Sequence, residues 1–369
     1  MQLASDLLSY ALVAVGSVLT GYYLYFFSRL AFFRPKAAAS LNEPLSIIVC
    51  GRNEQFHLEN NIPKWLQQQL KNGFELVVVN DQSEDDTRQI LQWLARNEPN
   101  LRPIHIERKG NERIGKKYPL SIGIREARHA HLLLTDADCV PASDLWAAKM
   151  TSAFTHGIDI VLGYGAYEKH PGLLNKLIRF ETFHSALQYL SYALAGVPYM
   201  GVGRNLSYKK ELFFKHKGFA SISHIPGGDD DLFISKAATA SNTAVMIDAD
   251  AHTISVPEQT WKNWRRQKTR HYSTSKYYKP AHQLLLGLYS LGQFLFYPLL
   301  FSTLILSHWQ AACVVLLIKS MAQYIIFSKA MRKLNESDLI KWIFFMDLWM
   351  FVYYLMFAGT LWKKEKKTW

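Results

Sequence analysis

The sequence predicts an α/β domain with a mostly parallel central sheet, flanked by transmembrane helices toward both ends of the chain. Three observations carry this. Between about Pro44 and Val256, short apolar runs alternate with helical patterns, as in βαβ units. One such run, Leu132-Leu133-Leu134, ends in Thr135-Asp136-Ala137-Asp138. That puts two carboxylates at a strand's carboxyl end, where open α/β sheets bind ligands. Long apolar stretches stand before residue 30 and after Pro280.

Residues 7–27 carry no charge, and roughly 20 residues suffice to span a bilayer. A positive n-region is missing and the run is too long for a cleaved signal peptide. Arg29, Arg34 and Lys36 follow it, which places the downstream side in the cytoplasm. Strands are expected over 45–50, 75–79 and 132–135, and helices over 87–96, 121–128 and 145–154. Beyond Pro280, residues 284–306, 310–327 and 342–362 read as membrane helices. Lys319 and Asp347 interrupt the second and third. A charge in hydrocarbon is costly and usually paired, so these two are expected to face each other. Topology stays open. If all three segments cross, the basic tail 363–367 lies outside. If the first does not, Lys329, Arg332 and Lys333 do, and both choices offend the positive-inside rule. The chain thus divides into an N-terminal transmembrane helix (1–30), a catalytic domain (44–258), an amphipathic interfacial segment (259–282), C-terminal transmembrane helices (283–362) and a basic tail (363–369).

With 369 residues, one or two domains are expected. A net charge of +12 raises the question of nucleic acid. Many of the cations instead lie close to apolar segments, as on the cytoplasmic side of membrane spans, and no zinc-finger or RNA-binding motif appears. The expected partner is the membrane, not nucleic acid. Cys50, Cys139 and Cys313 lack metal spacing, and an odd count argues against a disulfide framework. Cys50 and Cys139 read as buried structural thiols in a reducing compartment.

Several motifs carry chemistry. The first strand runs into Gly51-Arg52-Asn53-Glu54, where Gly51 lets a ligand approach the backbone. The second ends in Asn80-Asp81-Gln82-Ser83-Glu84-Asp85-Asp86-Thr87. Ser83 with Asp86 suits a helix cap, whereas Asp81 precedes the cap and is placed to accept from a nucleobase N–H. Lys116, in Gly115-Lys116-Lys117, faces either a phosphate or solvent. Asp136 and Asp138 alone also suit a surface turn, but as hard oxygen ligands they fit Mg²⁺ or Mn²⁺ holding a diphosphate. Gly227-Gly228-Asp229-Asp230-Asp231-Leu232 opens a helical pattern. Acids there complement the helix dipole, but three exceed what a cap requires. One suits a general base facing an acceptor hydroxyl. Residues 264–271 read as an interfacial helix with Trp at headgroup depth. Gln267 and Arg270 share one of its faces, toward the diphosphate and acceptor.

The order of these motifs resembles that of family-2 inverting glycosyltransferases of the GT-A fold, over about residues 45–275. The resemblance implies a GT-A nucleotide-sugar-binding domain and assigns roles. Asp81 takes the nucleobase, Lys116 follows it, and Asp136 and Asp138 bind the nucleotide sugar, with Asp138 on the metal. Gly203 and Asn205, followed by Lys209 and Lys210, line the acceptor side. Asp229 is the catalytic base, with Asp231 in the same catalytic motif, and Gln267 and Arg270 close the site. Gly228 stands where Glu is usual, Asn80 where an acid is frequent, and His271 where processive polysaccharide synthases carry Trp. The implied activity is inverting transfer from a nucleoside diphosphate sugar, a UDP sugar, to a lipid, lipid-linked sugar or polysaccharide. The implied place is the cell (inner) membrane, with the catalytic domain cytoplasmic. Three C-terminal helices are few for a private translocation channel. A lipid or lipid-linked acceptor, or work with a separate exporter, is therefore favoured over self-contained polymer secretion. Two other readings stay open. One is a membrane-anchored metal-dependent nucleotidyl- or phosphotransferase, for which Gly51-Arg52-Asn53 makes a poor phosphate loop. The other is an inactive scaffold subunit.

Overall fold

Apolar sequence builds the two ends of the molecule and alternating sequence builds its middle. The computed structural model describes residues 2–35, 43–107, 115–272, 274–306 and 309–360. The basic stretch 363–367 lies outside the described residues. At the N-terminal end, α1 (Gln2–Tyr22) passes through a π turn (Tyr23–Phe27) into α2 (Ser28–Ala31). The middle runs β1 (Leu45–Gly51), α3 (Gln55–Leu66), β2 (Phe74–Asp81), α4 (Thr87–Ala95), β3 (Leu101–Ile106), α5 (Lys117–Glu126), β4 (His131–Asp136), β5 (Cys139–Pro141) and α6 (Trp146–Ser152). It continues through β6 (Ile160–Leu162), β7 (Gly165–Tyr167), α7 (Leu173–Leu194), β8 (Leu206–Lys209), α8 (Lys210–Lys215), α9 (Asp231–Ala237), β9 (Thr243–Val245) and β10 (Thr253–Ser255). Then follow α10 (Trp261–Tyr272), α11 (Pro280–Ile305), α12 (Trp309–Lys333) and α13 (Ile343–Phe357).

The main sheet has the order β3-β2-β1-β4-β8-β6-β9. β3, β2, β1 and β4 are mutually parallel, β8 is antiparallel to β4 and β6, and β9 is parallel to β6. A small sheet, β5-β10-β7, stands beside it. Every residue of β1 and β2 is buried, as expected of strands covered on both faces. Ile47 and Val49 face a core with α3 and α6, while Ile48 and Cys50 face the other. On that second side α5 packs very close. A Cβ at Gly123 would stand 2.9 Å from Ile48 Cγ2. Cys50 and Cys139 are buried free thiols, as expected, and Cys313 is exposed.

The core on the Ile48 side does not stop at the domain. It continues through α7 into Tyr23, Phe27, Tyr289 and Phe327 of the terminal helices. α7, which the sequence reading did not anticipate, is the joint. His184 hydrogen-bonds Tyr289 at 2.9 Å, and Arg179, 2% exposed, pairs with Glu336 and Asp338.

Four helical segments are long and apolar enough to cross a membrane: Asp6–Ala31, Pro280–Ile305, Trp309–Lys333 and Ser337–Phe357. Lys319 and Asp347 pair with each other, as expected. Asp347 also accepts from Tyr297 at 2.6 Å and Gln323 at 2.8 Å. Breaking one partner of such a buried pair typically costs about 3–5 kcal/mol.

Candidate active site

The parallel strands deliver their carboxyl ends to one edge of the sheet. There the loops after β1 and β2 lock together. Asn53, held at φ +56°, accepts from Glu84 N at 2.8 Å, and its own N–H donates to Ser83 Oγ at 2.9 Å. The expected cap on α4 is corrected here. Ser83 is committed to Asn53, and Asp85 rather than Asp86 accepts from Thr87 N, at 3.1 Å. The other Asp85 oxygen takes Gln55 N at 3.2 Å, so one carboxylate serves the starts of two helices.

β4 ends at Asp136, and a turn carries Asp138 into β5. Ligand atoms of Asp136, Asp138 and Cys139 lie within 4.8 Å of one another. Burial raises the Asp138 pKa, and the Asp136 charge raises it further. Burial also works against ionised Asp136, yet Lys116, then Arg204 and Arg270, hold its pKa below the ordinary value. Burial pushes the Cys139 thiol well up, so it stays protonated beside Ser255 Oγ (2.9 Å). The donors left for a cation are carboxylate oxygens, which fit Mg²⁺ or Mn²⁺.

Lys116 sits among these acids. Its ammonium contacts Asp136 and lies 3.6 Å from Asp229. Burial opposes its charge, but Asp136, Asp229 and Asp230 outweigh that and raise its pKa well above the usual lysine value.

The three acids before α9 divide their work. Asp230 accepts from Gly203 N at 2.6 Å and Asp231 N at 2.7 Å. Burial, then the charges of Asp229 and Asp231, push its pKa up to about 7. Asp231 accepts from Thr274, from Tyr278 at 2.8 Å and from Leu232 N at 2.7 Å. Both Asp231 oxygens therefore already accept hydrogen bonds, although the residue stays in the cleft wall. It fastens the segment after α10 to the site. Asp229 is the one that faces Lys116 in an ion pair. Gly228 has φ +88°, and a Cβ there would stand 2.4 Å from Leu232, so this backbone excludes the Glu usual at that place.

Lys116, Asp136, Asp138, Gly203, Asp229, Asp231, Gln267 and Arg270 line one cleft of about 1230 Å³. Gln267 Oε1 is buried in it with no hydrogen-bond partner among the described residues. Lys268, next to it, pairs with Glu181 and ties α10 to α7. Asp81 is not in the cleft wall. It is 1% exposed at the end of β2, close enough for the Cys50 thiol to feel its charge together with those of Lys116, Asp229 and Asp136.

Asn205 is corrected outright. It is fully buried, donates to Tyr164 O (2.9 Å) and Ala251 O (2.7 Å), and accepts from Trp146 Nε1 (3.0 Å). It is a strut between strands, not an acceptor-side group. Lys209 pairs with Asp159 at 2.8 Å, and Lys210 donates to Ala127 O at 2.6 Å, both away from the cleft.

Among the cleft residues to which the sequence assigned no role, Arg204 and Glu54 stand out. Arg204 lies 4.4 Å from the centre of the Tyr167 ring, and the charges of Asp138 and Asp136 reach it. A cation within Val202-Gly203-Arg204-Asn205-Leu206 was the available signal, because arginine is seldom buried without an anion. Glu54 also lines the cleft, 2.7 Å from His57, with its pKa raised by burial.

Comparison with known proteins agrees with this geometry. Residues 46–218 match the family model described as Glycosyl transferase family 2. A curated relative, the 4,4'-diaponeurosporenoate glycosyltransferase of Staphylococcus haemolyticus, is 28% identical over 122 residues. That match covers 33% of this chain and 31% of the relative, so the chain spans about a third of the relative's length. The mannosyltransferase PcManGT from Pyrobaculum calidifontis, solved with GDP-Man and Mn²⁺, superposes with a TM-score of 0.55 at 19% identity. The alignment covers 92% of this chain and 99% of that one. Residues 1–349 of TarS from S. aureus align over 86% of this chain and 90% of theirs, at 16% identity and a TM-score of 0.46.

Proposed function

We propose that this chain, a glycosyltransferase with a family 2 domain, moves a sugar from a nucleoside diphosphate sugar to a hydroxyl of a lipid or lipid-linked acceptor. In this reading the reaction takes place at the cytoplasmic face of the cell membrane, a place supported by four helices long and apolar enough to cross it and by the cations after the first of them. One observation carries the reading. The cleft that holds Asp136, Asp138 and Asp229 continues to Leu286, Gly287 and Ser290 of α11 and to Tyr354 and Phe357 of α13. Polar chemistry and apolar helix faces share one space.

In this reading the diphosphate lies among Lys116, Arg204 and Arg270, whose charged donors suit its oxygens. Gln267 offers its unpartnered Oε1 to a donor group of the ligand. Asp136 and Asp138 would hold a divalent cation, Mg²⁺ or Mn²⁺, which neutralises charge on the leaving diphosphate when bound. The similar mannosyltransferase carries Mn²⁺ and GDP-Man, which supports a metal and a nucleotide sugar of this class. Asp229 takes the proton of the acceptor hydroxyl as its oxygen attacks the anomeric carbon. The bond from that carbon to the diphosphate oxygen breaks on the opposite face. One displacement inverts the configuration, and no sugar–enzyme bond forms.

Release of nucleoside diphosphate by the purified full chain tests this, with UDP and GDP sugars offered in turn. Release is expected to need Mn²⁺ or Mg²⁺ and to fall in Asp138→Asn. Pyrophosphate or nucleoside monophosphate as the product instead, or release untouched by chelator and by Asp138→Asn, contradicts the reading.

A further inference from the structure

The segment Ser337–Phe357 has 21 residues. At about 1.5 Å per residue it reaches across a hydrocarbon core, so length alone would make this segment, which ends in α13, a crossing one. Its contacts say otherwise, because both ends touch the catalytic side.

At the start, Glu336 and Asp338 hold Arg179 of α7 through hydrogen bonds of 3.0 and 2.9 Å. Tyr164, which lines the cleft, donates to Glu336 at 3.2 Å. The Lys176 ammonium lies 5.2 Å from the Trp342 ring centre. At the far end, Tyr353 and Phe357 pack on Trp264 of α10, with ring centres 6.0 and 5.8 Å apart. Tyr354, Phe357 and Ala358 line the same cleft as Asp136 and Asp229.

The middle of α13 dips between the other helices. Asp347 reaches Lys319 of α12 and Tyr297 of α11. From there its partners on α11 move back toward the start of that helix, through Phe294 beside Phe351 (5.7 Å) to Ser290, which hydrogen-bonds Tyr354. α11 starts on the catalytic side, since Tyr278, two residues before it, bonds Asp231. α12 also ends on that side. Lys333 donates to Phe33 O at 2.6 Å, and the Lys329 ammonium stands 5.0 Å from the Phe32 ring centre.

We propose that α13 lies obliquely in the leaflet next to the catalytic domain with both its ends on that side, its far end forming a wall of the active-site cleft, so that three helices cross and not four. Its outward stripe of Phe344, Phe345, Leu348 and Leu355 lies against acyl chains of that leaflet. This resolves the charge conflict in the sequence. Arg29, Arg34, Lys329, Arg332 and Lys333 share one side with whatever follows α13, as the positive-inside rule requires. The proposal rests on the reading that α1, α11 and α12 cross a membrane.

Side-specific labelling separates the two ideas. Single cysteines go into a Cys313→Ser background, where Cys50 and Cys139 are buried. Gln92→Cys marks the catalytic domain, Leu306→Cys marks the end of α11, and Gly359→Cys marks the end of α13. Membrane-impermeant maleimide is applied to right-side-out and inverted vesicles holding the full chain. Gly359→Cys is expected to react with Gln92→Cys, from the side opposite to Leu306→Cys. Reaction of Gly359→Cys together with Leu306→Cys overturns the proposal. Reaction of Leu306→Cys from the same side as Gln92→Cys overturns the membrane-crossing reading beneath it. A protease site appended after Trp369 gives a second reading that leaves α13 unaltered. Cleavage from the Gln92 side is expected, and cleavage from the other side overturns the proposal.

Discussion

Charge is buried in two regions of this molecule, and the two treat it in opposite ways. Between the terminal helices, Asp347 meets Lys319, Tyr297 and Gln323, so its carboxylate is fully partnered. In the cleft, Asp136, Asp229 and Asp230 crowd around Lys116, Asp138 feels the charge of Asp136, and Arg204 and Arg270 act on Asp136. There burial and neighbouring negative charge raise the pKa of both Asp138 and Asp230. A completed pair holds helices in place. Crowded acids under strain from each other are relieved by a cation or a proton. The contrast separates structural charge from functional charge without reference to any relative.

Asp229→Asn attacks the functional side and has the largest expected effect. Steady-state rates should fall by about 10²–10⁴, the usual cost of losing a positioned base. Calorimetric binding of the nucleotide should survive. A full rate in that variant would assign the base elsewhere. Lys319→Met attacks the structural side. It strands Asp347 and should destabilise the protein by about 3–5 kcal/mol in detergent unfolding. Lys319→Met with Asp347→Leu should recover most of that loss. An equal loss in the double variant would mean that the pair itself, rather than the abandoned charge, supplies the stability.

Asn205→Ala sharpens the boundary between the two regions. It strips Trp146 Nε1 and two backbone carbonyls of partners, and each buried orphan costs about 1–3 kcal/mol. Stability should fall while the acceptor KM of the folded fraction holds. A raised acceptor KM at unchanged stability would return Asn205 to the acceptor side.

The smallest effect concerns pH. The Asp230 pKa in the folded protein is about 7, above the ordinary 3.8. The native state therefore holds this proton more tightly than the unfolded chain. The stability it contributes is complete below about pH 4 and is lost as pH rises through about 7. Asp230→Asn should flatten that part of a metal-free urea-midpoint profile. An unchanged slope would place the titration in another group.

Much of this was legible in the sequence, and the exceptions have physical causes. β1, β2 and β4 are unbroken apolar runs because they are buried on both faces, and the Lys319–Asp347 pairing follows from the cost of charge in hydrocarbon. α7 went unseen because it is buried along most of its length, so no polar face marks its period. The strands β5, β6, β7, β9 and β10 have three residues each, too few to show alternation. The family resemblance pointed to Gly203 and Asn205 but not to which of them faces the ligand. That depends on Trp146 and Ala251, distant in sequence, which take Asn205 inward and leave Arg204 beside the aspartates. The path of α13 was hidden for the same reason, since composition reports that a helix suits a membrane but not whether it crosses.

If carboxylates and apolar helix faces form one reaction space, the transferred sugar must end on a lipid, and product analysis decides this. The full chain, in vesicles carrying extracted lipids, is given a nucleoside diphosphate sugar labelled in the sugar. Label is expected to move into an organic-phase product with inverted anomeric configuration, and Asp229→Asn should slow that transfer by about 10²–10⁴. Label found only as free sugar, or in a long water-soluble polymer made without any lipid product, would contradict the account.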